Sequence, residues 1–363
     1  MPSISDLPAI IAALPAAKRA RLERIFRVDE AQGEVRIPDT MRDWVAQHFG
    51  SVEAAQRQRI IRVTNVWTWE GALYNPLRGR RPMQLRSDGE MSRSPANDVF
   101  ADPVRTTSED VFGRVRGVHC ITASNISRWE GWCAVCIFDE PDVLKLTQAQ
   151  ARDYFRTSLQ WATLANQHDP LARNFIWMWN GGLKGGASVP HAHAQMALGH
   201  GMHYAGVEAL RRAATAYRER HHADYFEDLI AIHEDIELGV TLGKLRGFFY
   251  LAALRSGDML VFGDGFNDDL ADALHAGLRG LIDRAGTTAF IAGVLMPPLT
   301  SNPSSNGRAG EPADWAHFPH ILRITDRGPA QMISSDVGAI DLYAHRVITL
   351  DPYAVRAQLL GNE

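Results

Sequence analysis

The sequence predicts an α+β protein in which an antiparallel sheet and long helices form a duplicated unit. Strand-like runs rich in β-branched and aromatic residues alternate with a few long helical segments, as RGVHCITAS, WCAVCIF, NFIWMWN and later FFYLAAL, MLVFG and AFIAGVLM illustrate. Each half of the chain holds strands plus a long helix, although no residue-level repeat is visible. A length of 363 residues suits two units at roughly 150 residues each.

Residues 1–58 read as an N-terminal helical extension (IIAALPAAKRARLERIF), with little strand character before IIRVTNVW. Residues 59–204 form the first half and 205–363 the second. In the first half, apolar residues recur at helical spacing through TQAQARDYFRTSLQWATLANQHD, with Thr147 as the N-cap. The second half opens with a helical stretch from about Val207 to Glu237 and carries a further helix in NDDLADALHAGLRGLIDRAG. PPLTSNPSSNGRAGEPAD, at residues 297–314, reads as a loop from its Pro, Ser, Asn and Gly content. HILRITDRG and VGAIDLYA return to a strand pattern before a short C-terminal helix.

Bulk properties narrow the function. The chain is 45% apolar and 22% charged, without the run of about 20 apolar residues that a bilayer span needs. The N-terminus lacks the basic start and apolar run of a secretory leader, so a cytoplasmic location is expected. Net charge is −4 with scattered basic residues, which argues against nucleic acid held through its phosphates and leaves room for a small anionic ligand. Three cysteines form no disulfide framework. Cys133 and Cys136, three apart in GWCAVCIF, point to opposite faces of a strand and read as buried small side chains.

Chemistry concentrates in NGGLKGGASVPHAHAQM, Asn180 to Met196. Gly181, Gly182, Gly185 and Gly186 make a loop that can turn tightly and bring amide donors to an anion. Beyond it, an extended chain projects His191, His193 and Gln195 from one face and Ala192, Ala194 and Met196 from the other. A neutral imidazole can attack phosphorus while loop amides, Ser188 and Gln195 hold the oxygens, and Lys184 adds positive charge nearby. The same H-x-H pattern also serves metals, which would require further ligands that the sequence does not obviously offer.

Asn180, Gly186, Ser188, Pro190, His191, His193 and Gln195 match N-x-x-x-x-x-G-x-S-x-P-H-x-H-x-Q, so the chain resembles the galactose-1-phosphate uridylyltransferases of the histidine-triad superfamily. The resemblance implies a duplicated histidine-triad-like unit, usually homodimeric. His193 would be the nucleophile that carries the nucleotide, and Gln195 and Ser188 would contact the transferred phosphate. NPLRGRRP resembles the family's R-x-x-R-P element, whose arginines, here Arg78 and Arg81, reach phosphates across the dimer interface. HCITASN resembles the nucleoside-holding region and makes Asn125 a candidate there.

The departures shape the expected substrate. SPANDVF stands where many members have a zinc-binding C-x-x-C, and Trp315 replaces one histidine of H-A-H-F, leaving His317, so neither metal nor other cofactor is expected. Ala339 and Ile340 replace a tyrosine and glutamate of the sugar site, which argues against galactose 1-phosphate. The expected reaction moves a nucleoside monophosphate from a nucleoside diphosphate sugar, through His193, to a phosphorylated acceptor. The alternatives are a dinucleoside polyphosphate phosphorylase that passes AMP to inorganic phosphate, and a noncatalytic nucleotide-binding protein.

Overall fold

The computed structural model describes residues 2–80, 98–299, 313–331, 340 and 344–361. In chain order the first elements are α1 (Leu7–Ala13), α2 (Ala16–Ile25), β1 (Phe26–Glu34), α3 (Arg42–Phe49), α4 (Val52–Gln56), β2 (Arg57–Asn65) and β3 (Gly71–Tyr74). Next come α5 (Pro103–Thr106), β4 (Cys120–Ser124), β5 (Trp132–Phe138), α6 (Gln148–His168), β6 (Asn174–Gly181) and β7 (His193–Gly199). They are followed by α7 (Ala205–His221), α8 (Tyr225–Asp235), β8 (Gly239–Leu242), β9 (Leu245–Phe249), β10 (Met259–Gly263) and α9 (Asp268–Asp283). The chain ends with β11 (Phe290–Leu295), β12 (His320–Asp326), β13 (His345–Ile348) and α10 (Pro352–Leu360).

Nine strands form one antiparallel sheet in the order β4-β5-β7-β6-β11-β12-β10-β9-β8. The duplication is explicit in the topology: β4-β5-α6-β6-β7 and β9-β10-α9-β11-β12 are the same strand-strand-helix-strand-strand sequence, joined at the β6–β11 seam. Both long helices lie on one face of this sheet. Thr147 caps α6 with a full capping box to Gln150, as its sequence predicts. Tyr154, Phe155, Trp161 and Ala165 recur at helical spacing and bury against the Phe175 and Trp177 face of β6. Leu270, Leu274, Leu278 and Leu281 do the same for α9. At Gly277 a side chain would meet Met259 at 2.7 Å, so the helix can approach the strand only without one. Bidentate Arg152–Asp272 bonds of 2.6 Å tie the two helices together.

The N-terminal segment departs from the helical extension expected of residues 1–58. It contains β1, which pairs along its whole length with β2, and β2 itself crosses that boundary. These strands join β3 and β13 in a separate four-stranded sheet, so residues 57–74 belong there and not to the nine-stranded sheet. FRVDEAQGE is polar and edge-exposed, which hides its strand pattern from a hydrophobic reading. The helical stretch from Val207 to Glu237 is two helices, broken where His222 takes φ 52°. Most of VGAIDLYA and most of the 297–314 loop lie outside the described residues. Among the described residues no helix is long and apolar enough to cross a membrane.

Candidate active site

The site lies on the sheet face opposite α6, where β6 and β7 meet the glycine loop. β7 begins at His193, so His191 belongs to the bend before it, and the Phe100 ring meets both imidazoles, at 6.0 and 5.0 Å between centroids. Pro190 and the pinned peptide that follows explain the late start. The Ala192 amide donates to the Pro141 carbonyl at 3.0 Å, and the Ala192 carbonyl accepts from the Phe138 amide at 3.1 Å, before the regular ladder begins. Within the ladder, His193 lies opposite Ile137, and Gln195 lies between Val135 and Met178.

Each loop glycine has a local reason. Gly182 and Gly186 take φ of 80° and 104°. A Cβ on Gly181 would strike the Phe290 ring, and one on Gly185 would lie 2.5 Å from the carbonyl oxygens of Gly181 and Phe290. The turn therefore folds tightly against β11. The amides of Gly186 and Ala187 donate back to Leu183 and Gly182. Those two donors are committed inside the loop, which leaves fewer amides for an anion than four glycines suggest. Ser188 is exposed, Asn180 is the next-to-last residue of β6 and lies beneath Gly186, and Lys184 is half-buried in the turn.

The His193 ring is buried, with 4% exposure, and its Nδ1 lies 2.7 Å from the His191 carbonyl. That carbonyl can only accept, so Nδ1 carries the proton and Nε2 keeps its lone pair. Nε2 bonds no described residue. Burial pushes the imidazole below its ordinary value, against the backbone bond that raises it, and favours the neutral ring.

His191 is held differently. Its Nδ1 lies 2.7 Å from Asp98 Oδ2, and its Nε2 lies 2.7 Å from the Phe138 carbonyl. Asp98 Oδ1 also accepts from the Phe100 amide at 2.9 Å. Burial raises the Asp98 carboxyl, but the bonds from His191 and Phe100 outweigh it and leave the group below its usual range. The Phe100 ring stands edge-on to His193, 5.0 Å between centroids. It also packs on Ile121, Ala123, Val135 and Ile137, a small apolar floor beside the imidazole and separate from the main core. Sequence reasoning missed Asp98, Phe100 and this floor. Asp98 lies 93 residues from its partner, and only the alternation in CITAS and WCAVCIF hinted at a second apolar face.

The other candidate residues are dispersed. Asn125 follows β4, and its side-chain amide donates to Cys133 Sγ at 3.0 Å, four residues along the strand from Ile121 at the level of His193. Arg78 is exposed on the turn after β3, where it lines an open concavity of about 840 Å³ with Arg27, Arg62 and His345. No residue of the 180–196 segment lines that concavity. Arg81 and Ala339 lie outside the described residues.

Among the described residues no group of three or more His, Cys, Asp and Glu is placed to hold a metal. Cys133 and Cys136 are buried in β5, as their spacing predicts. Trp315 lies 5.4 Å from the Arg211 guanidinium, which is itself bonded twice to Glu208.

No family model matches the chain, and no curated protein matches it. Solved structures do. An ADP-glucose phosphorylase from Arabidopsis thaliana with bound ADP-glucose aligns with a TM-score of 0.58 at 13% identity, over 80% of this chain and 94% of that one. A structure described as a uridylyltransferase aligns at 0.57 and 16% identity, over 84% and 98%. A galactose-1-phosphate-uridylyltransferase-like protein from Arabidopsis thaliana aligns at 0.56 and 14%, over 76% and 98%. The chain thus has the α+β fold of the uridylyltransferase-like proteins that the Asn180–Gln195 signature resembles.

Proposed function

We propose that the protein is a nucleotidyltransferase that carries a nucleoside monophosphate on His193. The observation that supports this most is the arrangement of that ring, with Nδ1 bonded to the His191 carbonyl and Nε2 bonded to no described residue, on the strand that follows the glycine turn. In the first half-reaction the Nε2 lone pair attacks the α-phosphorus of a nucleoside diphosphate sugar. The N–P bond forms as the bond to the bridging oxygen breaks, and sugar 1-phosphate leaves with the electron pair. In the second, a phosphate oxygen of the acceptor attacks the same phosphorus, the N–P bond breaks and neutral His193 is restored.

Gln195, Ser188 and the uncommitted loop amides hold the nonbridging oxygens, and Asn180 and Lys184 border the same turn. His191 orients His193 through its carbonyl. The floor of Ile121, Ala123, Val135 and Ile137 suits the flat apolar face of a nucleobase. Arg78, remote from His193 within one chain, would act from a partner subunit in a homodimer. The reaction needs no metal in this reading, since both His191 nitrogens already face acceptors.

Inorganic phosphate is a second acceptor to consider, because a solved structure of the same fold is an ADP-glucose phosphorylase. Intact-mass measurement after incubation with UDP-, ADP- and GDP-sugars tests the proposal. One added nucleoside monophosphate, absent in His193→Ala, is expected. Binding without any adduct would favour a noncatalytic nucleotide-binding protein.

A further inference from the structure

The nucleophile's geometry depends on a residue that does not touch it. The His193 Nδ1 partner is a backbone carbonyl, and a carbonyl is only as well placed as the residue that carries it. That residue, His191, is 93% buried in its side chain and bonded at both ring nitrogens to acceptors, Asp98 Oδ2 and the Phe138 carbonyl, each at 2.7 Å. With a contact at each nitrogen, the ring is fixed at both ends, and the Asp98 contact is the one made by a side chain. The other carboxylate oxygen holds the Phe100 amide at 2.9 Å and thereby sets the ring that packs against His193. One side chain thus controls both the hydrogen-bond partner of the nucleophile and its packing neighbour.

We infer that Asp98 is a positioning residue for nucleotidyl transfer: it locks His191 so that the His191 carbonyl holds His193 with its proton on Nδ1 and its Nε2 toward phosphorus. The inference rests on the reading of His193 as the nucleophile. Without the lock, the 191–192 peptide loses one of its anchors, and the His193 ring can exchange protons between nitrogens or rotate. Displacement by about 1 Å is enough to slow an in-line attack roughly 100-fold. Asp98 itself meets no reacting atom in this scheme and exchanges no proton with substrate.

The test uses Asp98→Asn, nearly isosteric but uncharged, and Asp98→Ala, each checked for folding by circular dichroism. Single-turnover labelling with the nucleotide sugar that modifies the wild-type protein should slow roughly 10- to 100-fold in Asp98→Ala and less in Asp98→Asn. Half-saturation should change by less than about threefold, because substrate contacts are untouched. Nitrogen-15 NMR of the histidine rings, with His193 assigned by its loss in His193→Gln, needs no substrate. It should show a single Nδ1-protonated form in the wild type and a mixture in Asp98→Ala.

An unchanged labelling rate or an unchanged His193 signal in Asp98→Ala would overturn the inference. If no nucleotide sugar labels the wild type while the His193 signal still responds to Asp98, the transferase reading falls and the positioning of His193 by Asp98 stands.

Discussion

Across the midline of the large sheet, Gln195 of β7 and Arg323 of β12 occupy equivalent places: Gln195 pairs with Met178, Met178 with Gly293, and Gly293 with Arg323. Two residues earlier on each strand stand His193 and Ile321. The two halves share a frame and diverge in how completely their polar groups are satisfied. Arg323 is bonded to Asp258 at 2.9 and 2.6 Å and to Glu70 at 2.9 Å, and it lies 5.5 Å from the Tyr250 ring. His193, by contrast, uses one nitrogen, and its Nε2 bonds no described residue.

The second half also holds a buried histidine, on α8 and away from the position equivalent to His193. His233 is fully buried, its Nδ1 lies 2.7 Å from the Leu229 carbonyl, and its Nε2 accepts from the Leu251 amide at 3.2 Å. Closing the last nitrogen makes that ring structural. The Nε2 of His193 lacks such a bond among the described residues, and that is the nitrogen the proposed transfer uses.

Substitutions on the two strands should separate these roles. Arg323→Met should have the largest effect on folding, because it removes the guanidinium from the buried Asp258 carboxylate and the half-buried Glu70. A loss of about 3–5 kcal/mol by urea denaturation is expected, with the labelling rate of the folded fraction unchanged. A stability change under about 1 kcal/mol would mean that the ion cluster is dispensable. Gln195→Ala should do the opposite: little change in the urea midpoint, and transfer roughly 100-fold slower from the loss of one donor to the phosphoryl oxygens. Transfer at the wild-type rate would remove Gln195 from the site.

The two histidines also differ in their pH signature. Burial pushes His233 down to about 3 from an ordinary value of 6.5, against the Leu229 bond that raises it. The unfolded chain therefore binds a proton that the folded chain refuses. Stability from this group is intact above pH 6.5, declines as the pH falls from there toward 3, and is level below. His233→Gln should reduce the slope of unfolding free energy against pH in that window by about one proton; an unaltered slope would show that another group controls it. For His193, burial places the acid limb of the labelling rate below 6.5.

How much of this was legible in the sequence follows from the range of the interactions. Most of the strand and helix order of the large sheet, the Thr147 cap and the alternation that puts His193 and Gln195 on one face are local patterns, and they read correctly, whereas the short β8 went unread. β1 did not, because an edge strand written in charged residues carries no hydrophobic period. The glycines were legible as a tight turn, but Gly181 and Gly185 are required by Phe290, more than a hundred residues downstream. Asp98 was invisible for the same reason: nothing near it in sequence says that its carboxylate meets His191.

Whether the Nε2 of His193 reacts is what separates that ring from His233. Fragmentation mass spectrometry of the peptide that spans β7, taken after a brief incubation with UDP-, ADP- or GDP-sugar, tests it most directly. One nucleoside monophosphate on His193, released on adding the acceptor phosphate, is the expected result; an adduct on another residue, or one that survives in His193→Ala, would contradict it.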